Sequence, residues 1–194
     1  MNKQDKRSRK TVSAIQRTVL KQMCSRPIGE IKIVDLCAEA DINRTTFYLH
    51  FSSVNEVLAA LREEIIERVF ATQELHVQFD QPSNPLPFLT GCTDILNSYE
   101  YFQEFVRTSV NADLFLDQLK DTFAQKIFKT FTDSDPDTNP ELLFVIRFLT
   151  AGVLDVYTEW LKTDHRIPLE TLLQKCAPIV QAGQSILADP RYKS

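Results

Sequence analysis

The sequence predicts an all-α protein. Apolar residues recur at about every 3.6 positions along most of the chain, which is the period of an amphipathic helix. Only 4 of the 194 residues are glycine, and no segment alternates apolar and polar residues as a half-buried strand does. We expect a small three-helix domain over residues 1–53 and a larger helical domain over residues 54–194.

Three helices are predicted in the first domain. One face of the first helix, at about residues 8–25, carries Val12, Ile15, Val19 and Met23. Pro27 and Gly29 end that helix. A short second helix follows at about residues 33–40, and Asp41 with Ile42 makes a tight turn. Asn43 is a suitable N-cap for a third helix that runs to about Phe51.

The second domain is predicted to consist of six helices. Ser53 and Glu56 have the spacing of a capping box, which starts a helix that reaches the late 70s. Asp80 to Pro87 contains three prolines and is expected to be a linker. A polar loop is expected at residues 133–139, and Asn139 followed by Pro140 is a start signal for a helix. The remaining helices are expected at about residues 86–97, 99–109, 112–132, 140–163 and 168–187.

The charge is distributed unevenly along the chain. The formal net charge is −4, but residues 1–53 carry ten basic and five acidic side chains, a net of +5. The rest carries twelve basic and twenty-one acidic side chains, a net of −9. A basic domain joined to an acidic one indicates that the first domain faces an anion, which by charge alone is DNA, RNA or anionic lipid.

Several classes of protein are disfavoured. The N-terminus is not followed by an apolar signal segment, and Leu142 to Leu154 is too short to span a membrane and contains Arg147. Four scattered cysteines fit neither a metal site nor a disulfide framework, so we expect reduced thiols. No nucleophile–base pair, phosphate loop or metal cluster is recognisable. We therefore expect a cytoplasmic protein that is not an enzyme and has no metal, cofactor or membrane partner.

The second and third helices form a candidate helix-turn-helix. The run IGEIKIVDLCAEADINRTTFYLHFSSVNEVL, residues 28–58, resembles the DNA-binding head of the tetracycline-repressor (TetR) family of transcriptional regulators. The positions that carry this resemblance are Ile31, Ile33, Leu36, Ala40, Thr46, Phe47, Tyr48 and Phe51. Three positions depart from the family pattern: Lys32 at the start of the second helix, Asp41 in the turn, and Val54, where the family usually has a phosphate-binding lysine.

The periodicity of the third helix predicts which side chains reach DNA. Phe47 and Phe51 share one face, which must pack inward. Arg44 and Thr45 are expected at base edges and Leu49 near a thymine methyl group. Phosphate contacts are expected from Thr46, Tyr48, His50 and Ser52, the role of His50 resting on the resemblance. The complete predicted DNA-binding set is Lys32, Asn43, Arg44, Thr45, Thr46, Tyr48, Leu49, His50 and Ser52.

The helix that starts at residue 140 is apolar almost all round, so it needs a second partner. The resemblance implies a homodimer in which the helices at about 140–163 and 168–187 form a four-helix bundle with the same pair of another subunit. Close approach there is attributed to four small residues, Ala151, Gly152, Ala182 and Gly183.

The resemblance also implies a repressor that leaves a palindromic operator when a small-molecule effector binds the larger domain. Polar groups among aromatic residues are the candidates for an effector pocket: Tyr99, Tyr101, Arg107, Arg147 and Tyr157, with His76 and Cys92 as further candidates. Arg147 is alternatively expected to pair with an aspartate such as Asp155 or Asp113. The competing interpretation of the whole chain is an adaptor that binds another protein and keeps the fold without specific DNA binding.

Overall fold

The structure is a computed structural model that describes residues 3–72, 86–131, 139–163 and 165–187. These residues form nine α-helices, a short 3-10 turn at Ile28–Glu30, and no strand, so the all-α prediction is confirmed. The helices are α1 Lys3–Met23, α2 Ile33–Glu39, α3 Arg44–Tyr48, α4 Val54–Phe70, α5 Leu86–Asn97, α6 Phe102–Thr108, α7 Ala112–Phe131, α8 Pro140–Lys162 and α9 Leu169–Leu187.

Three helix ends differ from the prediction. α1 begins at Lys3, so the basic N-terminal residues continue the helix instead of preceding it. α3 ends at Tyr48 rather than near Phe51. α4 ends at Phe70, not in the late 70s. Residues 80–85 of the predicted linker and residues 133–138 of the predicted loop lie outside the described residues.

The chain divides into two compact units, one made of Met1–Glu64 and Asn97–Phe115 and the other of Ile65–Leu96 and Leu116–Ser194. The first unit therefore includes a segment that sequence reasoning assigned to the second domain. Asn111 Oδ1 accepts a hydrogen bond from the Ile28 backbone N–H at 2.9 Å, and the Thr108 hydroxyl donates to the Cys24 carbonyl at 3.1 Å. These bonds and the packing of α6 on α1 hold residues 97–115 against the N-terminal helices.

The core of the first unit combines apolar packing with one polar network. Ile15, Val19, Phe47 and Leu61 are fully buried, and each such side chain contributes roughly 1.5–3 kcal/mol by leaving water. The Glu64 carboxylate, on the last residue of α4 in this unit, accepts hydrogen bonds from Gln16 Nε2 at 3.0 Å and from the Tyr99 hydroxyl at 3.1 Å.

The core of the second unit contains two apolar clusters. One is formed by α7 and α8 around Phe128 and Ile146; the other joins α4, α5 and α9 around Leu89 and Leu173. α8 and α9 pack closely, and a Cβ added at Gly183 would lie only 2.5 Å from Leu149 Cδ2. Gly183 therefore allows close packing of α8 and α9 inside the chain. Its part in a contact between subunits stays a prediction.

Two large apolar side chains of α8 are exposed. Phe144 is 67% and Phe148 is 75% accessible, although the other face of the helix is buried through Leu142, Ile146 and Leu161. Ile179 of α9 is also exposed. The structure thus leaves apolar surface uncovered on both helices that were predicted to need another partner. None of the described helices is both long and apolar enough to cross a bilayer.

Candidate nucleic-acid interface

A helix-turn-helix is formed by α2 and α3 in the first unit. Asp41 lies between them with φ 53°, the left-handed conformation expected at this turn. The Ile42 backbone N–H donates to the Cys37 carbonyl at 3.0 Å. Asn43 then caps α3, because its side-chain oxygen accepts a hydrogen bond from the Thr46 backbone N–H at 2.7 Å. The predicted turn and N-cap are both present.

The orientation of α3 follows from which aromatic rings it buries. Phe47 is fully buried and Phe51 is 6% exposed, so the predicted inward face is confirmed. On the other sides, Tyr48 is 50% and Leu49 is 77% exposed. The rings of Tyr48 and Phe47 pack edge to face, with ring centres 5.5 Å apart. Tyr48 and Leu49 are therefore both accessible on the side of α3 that does not pack on the core.

The polar residues of the predicted DNA-binding set surround these two side chains. Arg44 and Thr45 are exposed in the first turn of α3, and Thr46 is half-buried beside the cap. His50 is also half-buried, and its ring lies 6.3 Å from that of Phe51. The structure therefore brings Arg44, Thr45, Tyr48 and Leu49 to one accessible surface.

Lys32 and Ser52 lie at the edges of this surface. Lys32 is exposed and makes no side-chain cap for α2. The Ser52 hydroxyl and backbone N–H both donate to Glu56 Oε2 at 2.6 Å. These hydrogen bonds lower the pKa of the Glu56 carboxyl group. One of the two hydrogen bonds of the predicted capping box is present: the Ser53 hydroxyl accepts from the Glu56 backbone N–H at 3.3 Å. In the other, the Glu56 carboxylate accepts from Ser52 instead of from Ser53.

The basic residues at the N-terminus belong to α1, whereas the sequence predicted that they form a tail before the helix. Lys6, Arg7 and Lys10 are exposed on the first turns of the helix. Farther along α1, Arg17 pairs with Glu100 at 3.0 Å and Lys21 with Glu39 at 2.6 Å. The helical spacing of Lys6 and Lys10, one turn apart, could have predicted that the helix begins earlier.

The predicted effector residues fall into two groups. Tyr99, Tyr101 and Arg107 belong to the first unit. Tyr99 donates to Glu64, Tyr101 has φ 69° and lies under the Arg17 guanidinium at 6.0 Å, and Arg107 is exposed on α6. Tyr99 and Tyr101 thus make contacts inside that unit, whereas Arg107 is exposed at its surface.

Arg147 and Tyr157 belong to the second unit. Arg147 Nη2 pairs with Asp121 Oδ1 at 2.5 Å, so an aspartate does hold it, but not Asp155 or Asp113. Asp155 instead pairs with Lys120. Tyr157 is 2% exposed, and burial raises the pKa of its hydroxyl group.

The second unit contains a cavity of about 120 Å³. None of the five predicted effector residues lines it, whereas Cys92 does. Most of the wall is aliphatic or aromatic, including Ile66, Leu89 and Phe123. Sequence reasoning missed this wall because aliphatic residues at helical spacing are typical of any core, and it searched for polar groups instead.

Reactive and metal-binding side chains are not clustered in the described part of the chain. No group of three histidine, cysteine, aspartate or glutamate residues there could hold a metal ion. His50 lies in the first unit, and His165 stacks on Trp160 in the second with ring centres 4.2 Å apart. His76 lies outside the described residues. The four cysteines, all described, form no disulfide.

Comparisons with known proteins agree with this architecture. None of the curated protein sequences matches the chain. The crystal structure of a TetR transcriptional regulator from Streptococcus agalactiae 2603V is similar with a TM-score of 0.56 and 20% identity, over 91% of this chain and 97% of that chain. A TetR-family regulator from Streptomyces coelicolor has a TM-score of 0.54 and 16% identity, over 97% of this chain and 84% of that chain.

At these identities the solved structures support the fold. A sequence match supplies the family: residues 83–181, half of the chain, match the TetR-type family described as "Transcriptional regulator C-terminal region". Together with a helix-turn-helix at the head of an all-α chain, this match establishes that the protein belongs to the TetR family of transcriptional regulators.

Proposed function

We propose that this regulator is a cytoplasmic homodimeric repressor that binds a palindromic DNA operator through α2 and α3 and releases it when a small molecule occupies the second unit. The observation that carries the DNA-binding part is the surface of α3. Its two phenylalanines are buried, so Arg44, Thr45, Tyr48 and Leu49 face outward together. A helix of this kind enters the major groove with its N-terminal residues at base edges.

The proposed DNA contacts follow from the chemistry of the exposed side chains. The Arg44 guanidinium can donate to guanine O6 and N7, and Leu49 can cover a thymine methyl group. Lys32, Thr46, Tyr48 and His50 would contact phosphates and fix position rather than sequence. Asn43 acts mainly by holding the first turn of α3, since its side-chain oxygen is occupied by the Thr46 N–H. Ser52 would have to exchange its bond to Glu56 for a phosphate, so its contribution is the weakest of the set.

Selection of bound duplexes from a random oligonucleotide pool tests the DNA-binding proposal. We expect a palindrome to be enriched at low salt. Arg44→Ala should weaken binding to it by about 1–3 kcal/mol and relax the preference at one base position in each half-site, and Tyr48→Ala should weaken binding without changing the preference.

The matched control is Arg107→Ala, which removes an exposed arginine of the same unit outside the helix-turn-helix. Its affinity should equal that of the wild type. If no sequence is enriched, or if all three variants bind as the wild type does, the DNA-binding proposal is wrong and the adaptor interpretation is favoured.

The dimer proposal is supported by the uncovered apolar surface of α8 and α9. Phe144, Phe148 and Gly152 are spaced one turn apart on α8, and all three are exposed. Ile179 and Ala182 make a similar exposed pair on α9. A twofold axis would let each stripe cover its copy, and two heads would then read half-sites about 34–36 Å apart.

We expect Phe148→Asp to shift the protein from dimer to monomer in sedimentation at micromolar concentration, because a charge would be buried in that contact. Operator affinity should fall in parallel. Leu114→Asp, at another exposed apolar side chain, is the control and should remain dimeric. A wild-type protein that sediments as a monomer would contradict the proposal.

A further inference from the structure

The cavity of the second unit is lined by side chains from five helices, α4, α5, α7, α8 and α9. Its volume is about 120 Å³. An engineered apolar cavity of about 150 Å³ stays dry and binds benzene. The available space therefore suits a molecule about the size of a benzene ring or a chain of about five carbons.

The polar groups of the wall are few. Thr150 and Gln184 are buried there, and Lys120 is the charged side chain among the lining residues. Lys120 is half-buried, and a lysine that lines a cavity ordinarily suggests an anionic ligand. Here the Lys120 ammonium already donates to Asp155 Oδ1 at 2.7 Å and to Asp117 Oδ1 at 3.1 Å.

These ion pairs decide the charge of the ligand. Asp117 and Asp155 are 71% and 54% exposed, so their carboxylates lie in solvent and hold the ammonium at the edge of the cavity. An anion entering the cavity would lose its hydration and would meet an ammonium that is already paired. A cation would also lose its hydration, because no carboxylate is among the lining residues that the structure describes. An uncharged molecule has neither penalty, and Thr150 can serve one hydroxyl or carbonyl group.

We propose that the cavity binds a small uncharged molecule that is mostly hydrocarbon, with at most one hydroxyl or carbonyl group. This inference names the ligand class of the effector site and rests on the proposed function only for its regulatory meaning. It differs from the expectation from sequence, because the tyrosines and arginines proposed for the pocket do not line this wall.

Isothermal titration calorimetry on the full chain without DNA tests the proposal. Four probes separate size from charge: benzene, pentan-1-ol, butyrate and pentylammonium, the last three each having six non-hydrogen atoms. We expect saturable binding of benzene and pentan-1-ol with a negative heat-capacity change, as burial of apolar surface produces. Butyrate and pentylammonium should bind at least tenfold more weakly. Equal or tighter binding of either ion, or no binding of benzene and pentan-1-ol, would overturn the proposal.

Variants of the cavity wall test whether the ligand binds in this cavity. Val153 lines the cavity and is half-buried on α8, so Val153→Phe should abolish benzene binding and Val153→Leu should weaken it. Val145 is half-buried on the same helix but does not line the cavity, and Val145→Phe is the matched control that should bind benzene normally. Thr150→Val should leave benzene binding unchanged and weaken pentan-1-ol binding severalfold. If Val153→Leu and Val145→Phe bind benzene equally well, the site is elsewhere and the proposal is wrong.

Because these measurements contain no DNA, they separate two failures. A protein that enriches a palindrome but binds neither neutral probe contradicts only this inference. A protein that binds benzene at Val153 but enriches no DNA contradicts only the proposed function.

Discussion

Asn43 shows how a single side chain can determine the geometry of α3, the helix that we propose faces DNA. Its oxygen takes the Thr46 N–H, which would otherwise lack an intrahelical partner, and so fixes where α3 begins. Because α3 has only five residues, the cap positions a large fraction of the helix. This cap, the left-handed Asp41 and the inward Phe47 were all predictable, since each depends on residues within a few positions of one another.

Other side chains could not be interpreted in this way. Tyr99 bonds to Glu64, thirty-five positions earlier, and Arg147 pairs with Asp121, twenty-six positions earlier. Periodicity places each residue on a face of its own helix but does not say which residue of another helix faces it. Tyr99 was therefore predicted to face a ligand, whereas its hydroxyl donates to a distant carboxylate. For Arg147 an aspartate partner was the alternative prediction, and the sequence did not identify Asp121 as that partner.

Acid should weaken the first unit through Glu39. Hydrogen bonds from Lys21 and then Gln22 lower the pKa of this carboxyl group below its ordinary value of 4.5. A depressed folded-state pKa gives stability that is present above the unfolded-state value and is lost as the pH falls through the folded-state value. We expect Glu39→Gln to lower the midpoint of urea unfolding at pH 7, and the difference from the wild type to shrink as the pH falls below about 4.5.

The control is Glu30→Gln, which alters an exposed carboxylate of the same unit. Its midpoint should follow that of the wild type from pH 7 to pH 3. If the difference between Glu39→Gln and the wild type is constant over that range, the Lys21 and Gln22 contacts do not stabilise the ionised carboxylate.

At the scale of helices, starts were easier to predict than ends. α8 begins at Pro140, directly after its N-cap Asn139, as predicted. This start could be predicted because the N-cap and the first helical residue are adjacent in the sequence. The ends of α3 and α4 were predicted too far along the chain, because apolar periodicity continues past the last regular turn of each helix. After Tyr48, the N–H groups of both His50 and Phe51 donate to the Phe47 carbonyl. The periodicity of the sequence does not reveal such a tightened turn.

The contact between α8 and α9 should be sensitive to a single methyl group. A Cβ at Gly183 would lie 2.5 Å and 2.7 Å from the two Cδ atoms of Leu149, so that side chain would have to move. We expect this overpacking, which typically costs about 1–3 kcal/mol, to exceed the roughly 0.5–1 kcal/mol by which alanine favours the helix, so that Gly183→Ala destabilises the protein by up to about 2 kcal/mol. The effect should largely disappear when Leu149→Ala is already present, and urea unfolding of the four proteins at one fixed concentration measures this coupling.

Gly91→Ala is the comparison for Gly183→Ala, because it changes helix propensity without overpacking. Gly91 lies inside α5, and a Cβ there would meet nothing within 4 Å. Replacing it should therefore stabilise the protein by about 0.5–1 kcal/mol, since alanine is the better helix former. If Gly183→Ala stabilises the protein as much as Gly91→Ala does, the close approach of α8 and α9 has no energetic consequence.

At the scale of the whole molecule, the two compact units were only partly predictable. The basic N-terminal segment was correctly identified as distinct in charge, but residues 97–115 join it through contacts with residues more than seventy positions earlier. The domain boundary predicted at residue 53 also came from a change in composition, whereas α4 contributes residues to both units. The composition and charge of the chain change near residue 53. The packing changes later, inside α4, between Glu64 and Ile65.

The division of charge also explains how a chain with a net charge of −4 can bind a polyanion. The net of −9 lies after residue 53, and the helix-turn-helix lies within the segment of net +5. Binding should then depend on salt through the lysines and arginines that replace counterions on phosphates, not through the total charge. Lys32, exposed at the start of α2, is the test position.

We expect Lys32→Ala to reduce the slope of log affinity against log salt concentration by about one for each subunit, hence by about two for a dimer. The preferred sequence should not change, because phosphate contacts carry no base information. Lys175→Ala removes an exposed lysine of α9 in the second unit and is the matched control, since it alters the net charge by the same amount. Fluorescence anisotropy with the selected operator between 50 mM and 200 mM salt, roughly the range over which phosphate contacts are resolved, measures both slopes. If the two variants lower the slope equally, the net charge of the molecule governs binding and the local assignment to Lys32 is wrong.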